Sequence, residues 1–308
     1  MTRLVCIGEC MLELSGALSD APSLGFGGDT LNTAVYAART AAGAIEVAYA
    51  TALGDDPFSD HMLAGWRSER LATDLVRRLP GRLPGFYAIE TDAAGERRFF
   101  YWREQAAVRS LLVPEAEGRA LLARITAADL VYFSGITLAI LDAAQRRRLL
   151  AALDEARGRG LQVAYDSNVR PALWPDLATA AAACAAAAAT ADIALVSFDD
   201  EKRLAGDADP AATAARLAGL GADEVVVKRG EGGVVVHHEG ASTAVPAEPA
   251  PAVVDTTAAG DSFNGAYLAR RLLGADPVTA ARAGVRLASH VVRHRGALIP
   301  LAAMPGRA

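Results

Sequence analysis

Residues 253–268 read VVDTTAAGDSFNGAYL, and this stretch governs the interpretation of the rest of the chain. Two apolar residues typical of a strand run into small residues, and a helical pattern follows from Asp261. Ala258, Ala259 and Gly260 are small enough for a phosphate to approach their backbone N–H groups, and the helix directs its positive end towards them. The segment therefore predicts an anion-binding loop between a strand and a helix.

Asp261 stands at the start of that helix, beside the predicted loop. Transfer of a phosphoryl group depends mainly on positioning and electrostatic stabilisation, together with a group that accepts the proton of the attacking hydroxyl. Asp261 can be that acceptor; the alternative interpretation is that it only caps the helix. Neither a Walker-type GxxxxGK[ST] nor a GxGxxG after the first strand occurs, which disfavours a P-loop or a Rossmann dinucleotide site.

A second glycine-containing segment, GFGGDTLN at 25–32, leads into an apolar helical pattern near Thr30. Glycine permits close approach of a ligand, and Asp29 and Asn32 offer polar groups that can bond to adjacent hydroxyls of a polyol. A capped helix after a glycine turn would explain the same residues without a ligand. The presence of both segments in one α/β chain favours the functional interpretation.

The remaining chain alternates short apolar runs with helical patterns, which predicts a doubly wound, mainly parallel sheet with helices on both faces. Strands are predicted at 4–7, 47–50, 130–133, 162–165, 193–196 and 224–227, and helices at 30–42, 57–69, 142–159, 176–189, 199–205, 210–220, 261–273 and 277–294. The alanine-rich stretch 178–196 is predicted to be a helix followed by a strand, because alanine favours helices but contributes little to membrane insertion.

Residues 85–103, GFYAIETDAAGERRFFYWR, break this rhythm. Two alternating segments joined by the turn-rich residues 92–95 predict an antiparallel hairpin. Both faces of its second strand carry aromatic and cationic groups, which suits a lid over a ligand or a contact between subunits. A surface hairpin with packed aromatic residues is the alternative.

Composition narrows the classes of function. The chain has 308 residues, 52% of them hydrophobic, and a formal net charge of −5, so its charge gives no reason to expect nucleic acid or an anionic membrane as partner. Three cysteines without a CxxC pair predict neither a disulfide framework nor a zinc site. The first residues lack the features of a signal peptide, so a cytoplasmic location is expected.

The segments GGDTLNTAVYAAR at 27–39 and DTTAAGDSFNGAYLA at 255–269 resemble the two signature motifs of the ribokinase-like (phosphofructokinase B) family of sugar kinases. The resemblance extends from Val5 to Pro300. It is closest to members that phosphorylate 2-dehydro-3-deoxygluconate, through IGECMLEL at 7–14, residues 82–103, SGITLAIL at 134–141, NVRPALW at 168–174, KRGEGG at 228–233 and RGALIP at 295–300.

This resemblance implies a ribokinase-like three-layer α/β sandwich, formed as one domain by residues 1–308, with lid strands inserted at about 9–27 and 82–105. It implies transfer of a phosphoryl group from ATP, with Mg²⁺, to a hydroxyl of a sugar acid. Asp261 would be the base, and the backbone of residues 258–260 would supply the anion hole. A homo-oligomer is also expected.

The resemblance further assigns individual contacts. The sugar would contact Gly28, Asp29, Asn32, Tyr87, Tyr101, Arg103, Arg170, Asp255 and Asp261. ATP would contact Asn168, Ser197, Lys228, Gly230, Gly233, Ala258, Ala259, Gly260, Ala288 and Ser289. Glu201 would assist the metal through water.

Chemistry supports an acidic substrate, because a carboxylate in a partly desolvated pocket requires a cation and arginine can bind it with two hydrogen bonds. Arg103 and Arg170 are the candidates. The alternatives are that Arg103 is only a surface residue of the lid and that Arg170 only forms a structural ion pair with Asp166.

The chain departs from the family pattern at two positions. Ala258 stands where the family commonly has glycine, which removes conformational freedom but keeps the N–H group. Phe198 stands where the Asn of an Asn-x-x-Glu segment is expected, although Glu201 matches. Three alternatives remain open: a kinase of a neutral sugar such as fructose or ribose, a non-catalytic sugar sensor, and an NAD-dependent dehydrogenase.

Overall fold

A computed structural model describes residues 1–16, 23–91 and 97–306 of the chain. Within these residues a large sheet has the strand order β13-β12-β11-β10-β9-β8-β1-β4-β5. Its strands are β1 Arg3–Ile7, β4 Glu46–Leu53, β5 Val76–Arg78, β8 Leu130–Ser134, β9 Gln162–Asp166, β10 Ile193–Ser197, β11 Glu224–Lys228, β12 Val234–His238 and β13 Ala241–Val245. Pairing is parallel from β5 to β11 and antiparallel from β11 to β13.

Helices cover both faces of this sheet. They are α1 Asp29–Ala41, α2 Pro57–Ser68, α3 Glu115–Ile125, α4 Gly135–Ile140, α5 Ala143–Arg157, α6 Leu177–Thr190, α7 Phe198–Ala205, α8 Pro210–Gly219, α9 Ala259–Leu272 and α10 Pro277–Val291. Buried residues of α3 to α6 and α8 pack on one face, and those of α1, α2, α9 and α10 pack on the other. The predicted three-layer α/β sandwich is therefore confirmed.

Aspartate residues mark the beginnings of five helices, which explains why the local sequence predicted these helices well. Asp56, Asp142, Asp176, Asp209 and Asp276 each accept hydrogen bonds from first-turn amides of the helix that follows. The helix α9 begins differently, because its first residue follows Ala258 and no side chain caps it. The amides of Gly260 and Asp261 in its first turn are thus available to a ligand.

The six predicted strands and eight predicted helices are all present, with ends that differ by a few residues. The hairpin of β12 and β13 was not predicted. Its turn is Glu239-Gly240, with both residues at positive φ (50° and 76°), and Glu-Gly is not among the dipeptides that most strongly indicate this turn. Short β5 and helix α3 were also missed.

A smaller sheet has the order β3-β2-β6-β7, formed by β2 Met11–Ser15, β3 Ser23–Gly27, β6 Gly85–Thr91 and β7 Arg97–Trp102. The predicted antiparallel pairing of β6 with β7 is confirmed, whereas the predicted turn at 92–95 lies outside the described residues. Tyr87 stacks on Tyr101 with ring centroids 5.9 Å apart. We call these four strands the small sheet; that residues 1–308 form one domain stays a prediction.

Two further expectations concern membrane-spanning helices and the cysteines. No helix in the described part combines the length and hydropathy needed to cross a membrane. The three cysteines, Cys6, Cys10 and Cys184, are buried free thiols.

Candidate active site

The two motif segments meet where α1 crosses α9. The side-chain amide of Asn32 donates a hydrogen bond to Asp261 Oδ2 at 2.8 Å, and Thr33 Oγ1 donates to the main-chain oxygen of Asp261 at 3.3 Å. A Cβ at Gly265 would lie 2.6 Å from the Thr33 carbonyl oxygen, so this close crossing requires glycine. Residues more than 200 positions apart, as predicted from the paired motifs, thus form one site.

The carboxyl group of Asp261 has the properties of a proton acceptor near neutral pH. Burial raises its pKa to about 7, and the negative charge of Asp29 adds to this shift, while the hydrogen bond from Asn32 opposes it. A group with a pKa near the working pH can accept a proton from a hydroxyl and release it afterwards. That Asp261 is the base, and not only a residue of the first turn of α9, stays a prediction that this pKa supports.

The loop before α9 is the predicted anion site, and its main-chain amides differ in their availability to a ligand. Ala258 adopts a left-handed conformation (φ 61°, ψ 14°), which glycine adopts without strain. The amide of Ala259 already donates to Thr256 O at 3.2 Å. The amides of Gly260 and Asp261 belong to the first helical turn, where no intrahelical acceptor exists, so they are the better donors to a phosphate.

Lys228 brings a positive charge to the same loop. Its Nζ lies 3.6 Å from the place where a Cβ of Gly260 would stand, and it donates to Asp166 Oδ2 at 2.8 Å and to Asn264 Oδ1 at 3.1 Å. Asn264 in turn donates to Asp166 Oδ2 at 2.7 Å and to Tyr132 Oη at 3.1 Å. These bonds fix the ammonium group close to the predicted phosphate position.

Sequence reasoning missed Asp166 and Asn264 as parts of the site. Two signals were available: Asp166 ends β9 at the carboxyl edge of the parallel sheet, where ligands of such folds bind, and Asn264 follows Asp261 by one helical turn.

A cavity of about 550 Å³ opens beside this loop. Seven of the predicted ATP contacts line it: Lys228, Gly230, Gly233, Ala259, Gly260, Ala288 and Ser289. Its other walls include the apolar side chains of Phe263, Val285 and Val292. A cavity with an amide-rich, cationic end and apolar walls suits a ligand that has a phosphate chain and a flat base.

Three predicted ATP contacts, Asn168, Ser197 and Ala258, do not line this cavity. The side-chain amide of Asn168 donates to Asp29 Oδ2 at 2.7 Å, which places it on the side of the predicted sugar contacts. Ser197 pairs with Lys228 in the register of β10 and β11. The contact of Asn168 with ATP stays a prediction, because a residue after a strand end can face either ligand.

The residues around Gly28 form a largely buried polar pocket next to Asp261. Asp29 is 9% exposed and accepts hydrogen bonds from Ser134 Oγ at 2.5 Å and from Asn168. Burial raises the pKa of Asp29. Asn32 Oδ1 is buried and has no hydrogen-bond partner within the described residues. A hydroxyl group of a ligand would satisfy this oxygen.

Gly28 is required for packing. A Cβ at this residue would lie 2.1 Å from the main-chain oxygen of Glu9. Glycine here lets the start of α1 approach the chain between β1 and β2.

The small sheet contributes three predicted sugar contacts, and they differ in availability. Tyr87 donates its hydroxyl proton to Glu13, while Tyr101 is 53% exposed. Arg103 is only 6% exposed and forms an ion pair with Glu9, which is 2% exposed. Arg103, predicted to bind a substrate carboxylate, thus already has a buried protein carboxylate as its partner, and no sequence pattern indicates this pairing.

Arg170 fits an open cationic position better. It is exposed at the surface and its guanidinium donates to Val169 O at 3.1 Å. Its positive charge favours the ionised form of Asp29 and so opposes the rise of that pKa that burial causes. Asp166, the alternative partner considered for Arg170, is bonded to Lys228.

Asp255 and Glu201 have protein partners. Asp255 accepts from the amides of Thr257 at 3.0 Å and Gly296 at 2.9 Å, which joins the loop before α9 to the segment after α10. Glu201 forms an ion pair with Arg216 at 2.7 Å. Across residues 1–16, 23–91 and 97–306, no three His, Cys, Asp or Glu residues converge as a metal site. The predicted ligand roles of Asp255 and Glu201 therefore gain no support.

Comparison with known proteins shows similarity to carbohydrate kinases over nearly the whole chain. The profile described as "pfkB family carbohydrate kinase" matches residues 1–304. The chain is 47% identical to 2-dehydro-3-deoxygluconokinase of Dickeya dadantii over 308 residues, covering 98% of each protein. It is 45% identical to 2-dehydro-3-deoxygluconokinase of Escherichia coli K12 over 307 residues, covering 98% of this chain and 99% of the relative.

Solved structures share the fold. Fructokinase with bound ATP from Xylella fastidiosa superposes with a TM-score of 0.83 at 26% identity, covering 98% of this chain and 95% of that one. 2-Dehydro-3-deoxygluconokinase from Thermotoga maritima superposes with a TM-score of 0.80 at 22% identity, covering 97% and 94%. The resemblance inferred from the two motifs is confirmed: this chain belongs to the pfkB family of carbohydrate kinases.

Proposed function

We propose that the protein transfers the γ-phosphoryl group of ATP to the primary hydroxyl of 2-dehydro-3-deoxy-D-gluconate, which gives 2-dehydro-3-deoxy-6-phospho-D-gluconate. The observation that carries the proposal is the position of Asp261. Its carboxyl group accepts a hydrogen bond from Asn32, and the preceding residue, Gly260, lines the amide-rich end of the cavity. Relatives at 45–47% identity over nearly the whole chain that carry this enzyme name support the choice of substrate.

In the proposed reaction Asp261 accepts the proton of the substrate hydroxyl as its oxygen attacks the γ-phosphorus. The bond from that phosphorus to the bridging oxygen breaks, and ADP leaves. Amides of the first turn of α9 and the ammonium group of Lys228 stabilise the charge on the phosphoryl oxygens. The hydrogen bond from Asn32 orients the carboxylate, and exclusion of water favours the sugar hydroxyl as acceptor.

Mg²⁺ would enter with ATP. Magnesium commonly keeps several waters and binds through substrate phosphates and one or two carboxylates, so it does not require a cage of protein ligands. Asp200 is a candidate carboxyl group for this role, because burial raises its pKa and its charge interacts with those of Asp166 and Lys228. The residues present therefore fit a metal held mainly by the nucleotide.

A kinase of a neutral sugar is a second candidate, and one observation favours it. Because Glu9 neutralises Arg103, only Arg170 among the two predicted cations remains open to a substrate carboxylate. A relative named "Probable fructokinase-5" from Arabidopsis thaliana is 32% identical over 279 residues. The two candidates differ in whether a carboxylate is required.

An ADP-release screen with Mg-ATP across sugar acids and neutral sugars tests both candidates. We expect 2-dehydro-3-deoxygluconate to give the highest kcat/KM. Arg170→Ala should lower kcat/KM for the acid about 10- to 100-fold, since a hydrogen bond to a charged group contributes about 1.5–3 kcal/mol. Its effect on a neutral sugar should be small. No ADP release with any sugar would overturn the kinase proposal, and a preference for fructose or ribose would favour the second candidate.

We also propose that the protein is a homo-oligomer that uses the outer face of the small sheet. Phe100 and Trp102 of β7 are 45% and 61% exposed, and adjacent exposed aromatic residues commonly mark contact surfaces. Sedimentation equilibrium of the protein and of Trp102→Ala tests this. A monomer at every concentration would exclude it.

A further inference from the structure

A second cavity, of about 420 Å³, lies on the outer side of α9 and α10. We call it the basic cavity. Arg270, Arg282 and Arg286 line it, together with apolar residues that include Leu287, Leu301 and Met304. It is distinct from the nucleotide cavity, which uses Val285, Ala288 and Ser289 on the other face of α10. Glu248 contributes to both cavities.

The charges of this cavity are unevenly satisfied. Arg39, also in its wall, donates to both carboxylate oxygens of Glu69 and to the Ile299 carbonyl. In contrast, the guanidinium groups of Arg282 and Arg286 have no hydrogen bond or ion pair within residues 1–16, 23–91 and 97–306. Both arginines line the same cavity. Other exposed arginines of the chain, by contrast, form ion pairs with nearby carboxylates.

Arg282 and Arg286 are one helical turn apart, so their charges repel each other. Like charges at this spacing destabilise a helix. Two arginines four residues apart on one helix can instead donate together to one anion placed between them, and arginine matches phosphate oxygens with paired hydrogen bonds. A doubly negative group satisfies two cations better than a singly negative one.

We propose that the basic cavity binds a small metabolite that carries a phosphate group, with Arg282 and Arg286 as the anion-binding residues. The phosphate lies between the two guanidinium groups. The apolar wall formed by Leu287, Leu301 and Met304 packs against the carbon skeleton of the ligand. The volume of the cavity is within the range of small-molecule sites and too small for a macromolecular segment of any length.

Inorganic phosphate is a suitable probe. Thermal unfolding is measured over a phosphate titration at constant ionic strength, balanced with NaCl because screening alone alters exposed charges. Saturating ADP is present throughout, so that the anion hole at α9 is occupied. The variants are the double substitution Arg282→Gln with Arg286→Gln, and Arg147→Gln on α5 as a matched control, since Arg147 is also an exposed helical arginine.

We expect phosphate to raise the unfolding temperature of the wild-type protein and of the control, because a ligand that binds the native state stabilises it. The double variant should need about tenfold more phosphate for the same shift, the loss expected for about 1.4 kcal/mol of binding free energy. An equal response in the double variant, or no response in the wild type, would overturn the proposal. Circular dichroism without phosphate verifies that the variants fold.

This test does not depend on the proposed reaction. Whether ADP alone raises the unfolding temperature reports on the nucleotide cavity, and the phosphate titration reports on the basic cavity. Arg282 and Arg286 face away from the predicted substrates, so kinase activity without added phosphate should be unchanged in the double variant. Loss of that activity would count against a separate site.

Discussion

The junction of α1 with α9 and the small sheet differ in how their functional side chains are held. At the junction, Asp261 and Asn32 are bonded to each other, and Lys228 is fixed by Asp166 and Asn264. In the small sheet, Tyr101 is largely exposed and stacks on its neighbours. The groups proposed for the chemistry are thus preorganised, while the groups proposed to select the sugar depend on a more open surface.

The largest expected effect is that of Asp261→Asn, which tests the junction. Loss of a general base commonly lowers turnover about 10²- to 10⁴-fold, whereas ATP binding should change little because the amides and Lys228 remain. Steady-state ADP release and a nucleotide-binding titration measure the two quantities. Asp154→Asn, at an exposed position of α5, is the matched control. Near-normal turnover in Asp261→Asn would remove this residue from the mechanism.

Arg103→Ala tests the buried part of the small sheet. Removal of one partner of a buried ion pair commonly costs about 3–5 kcal/mol, because the remaining charge is left unpaired. We therefore expect a lower free energy of unfolding in urea, and an equal loss of kcat/KM for acidic and neutral sugars. Glu9→Gln, which removes the opposite partner, should also destabilise the protein. A stable Arg103→Ala variant that loses only acidic substrates would instead support direct contact with the substrate carboxylate.

The pKa of Asp261 predicts how activity depends on pH. Since burial and the charge of Asp29 raise this pKa to about 7, the base is protonated in acid. We expect kcat/KM to fall about tenfold per pH unit below about 7. The residual kcat/KM of Asp261→Asn should not show this fall below pH 7, because the variant lacks the group that titrates. A flat profile between pH 5 and 7 in the wild type would contradict the assignment.

The raised pKa of Asp261 also makes the free energy of unfolding depend on pH. The folded state raises the pKa of Asp261 from the model-peptide value of 3.8, so it binds more protons than the unfolded state between the two values. The contribution of this group to the free energy of unfolding is therefore present below pH 4 and is lost as pH rises to about 7. Asp261→Asn should consequently show a flatter dependence of unfolding free energy on pH in urea titrations.

The smallest expected effect concerns Ala258. A left-handed conformation costs a non-glycine residue about 1–2 kcal/mol, which glycine would not lose. Glycine also raises the conformational entropy of the unfolded chain, and this offsets part of the gain. Ala258→Gly should thus stabilise the protein by about 0.5–1 kcal/mol in chemical denaturation. Ala259→Gly, at a helical position next to it, should destabilise by a similar amount. The same sign for both variants would contradict the assigned conformation.

The sequence predicted those parts of the site that depend on local patterns. The small residues and the helix start at 258–261 identified Asp261, Ala259 and Gly260, whereas the resemblance to the family supplied Lys228 and four further residues of the nucleotide cavity. Pairings between distant residues were not predictable, because spacing does not show which carboxylate meets which cation. Glu9 with Arg103 and Glu201 with Arg216 are such pairs. Each has changed the interpretation of a predicted ligand contact.

Gly265 has a further consequence for movement within the enzyme. Because the main chain of α9 lies directly against that of α1 at this residue, neither helix can rotate about its axis or slide along the other without a collision. We therefore expect any opening that admits substrate to occur elsewhere, with these two helices as its stationary base. Structures with different bound ligands should superpose on α1 and α9, and the displacement of every other element can be measured from that common frame.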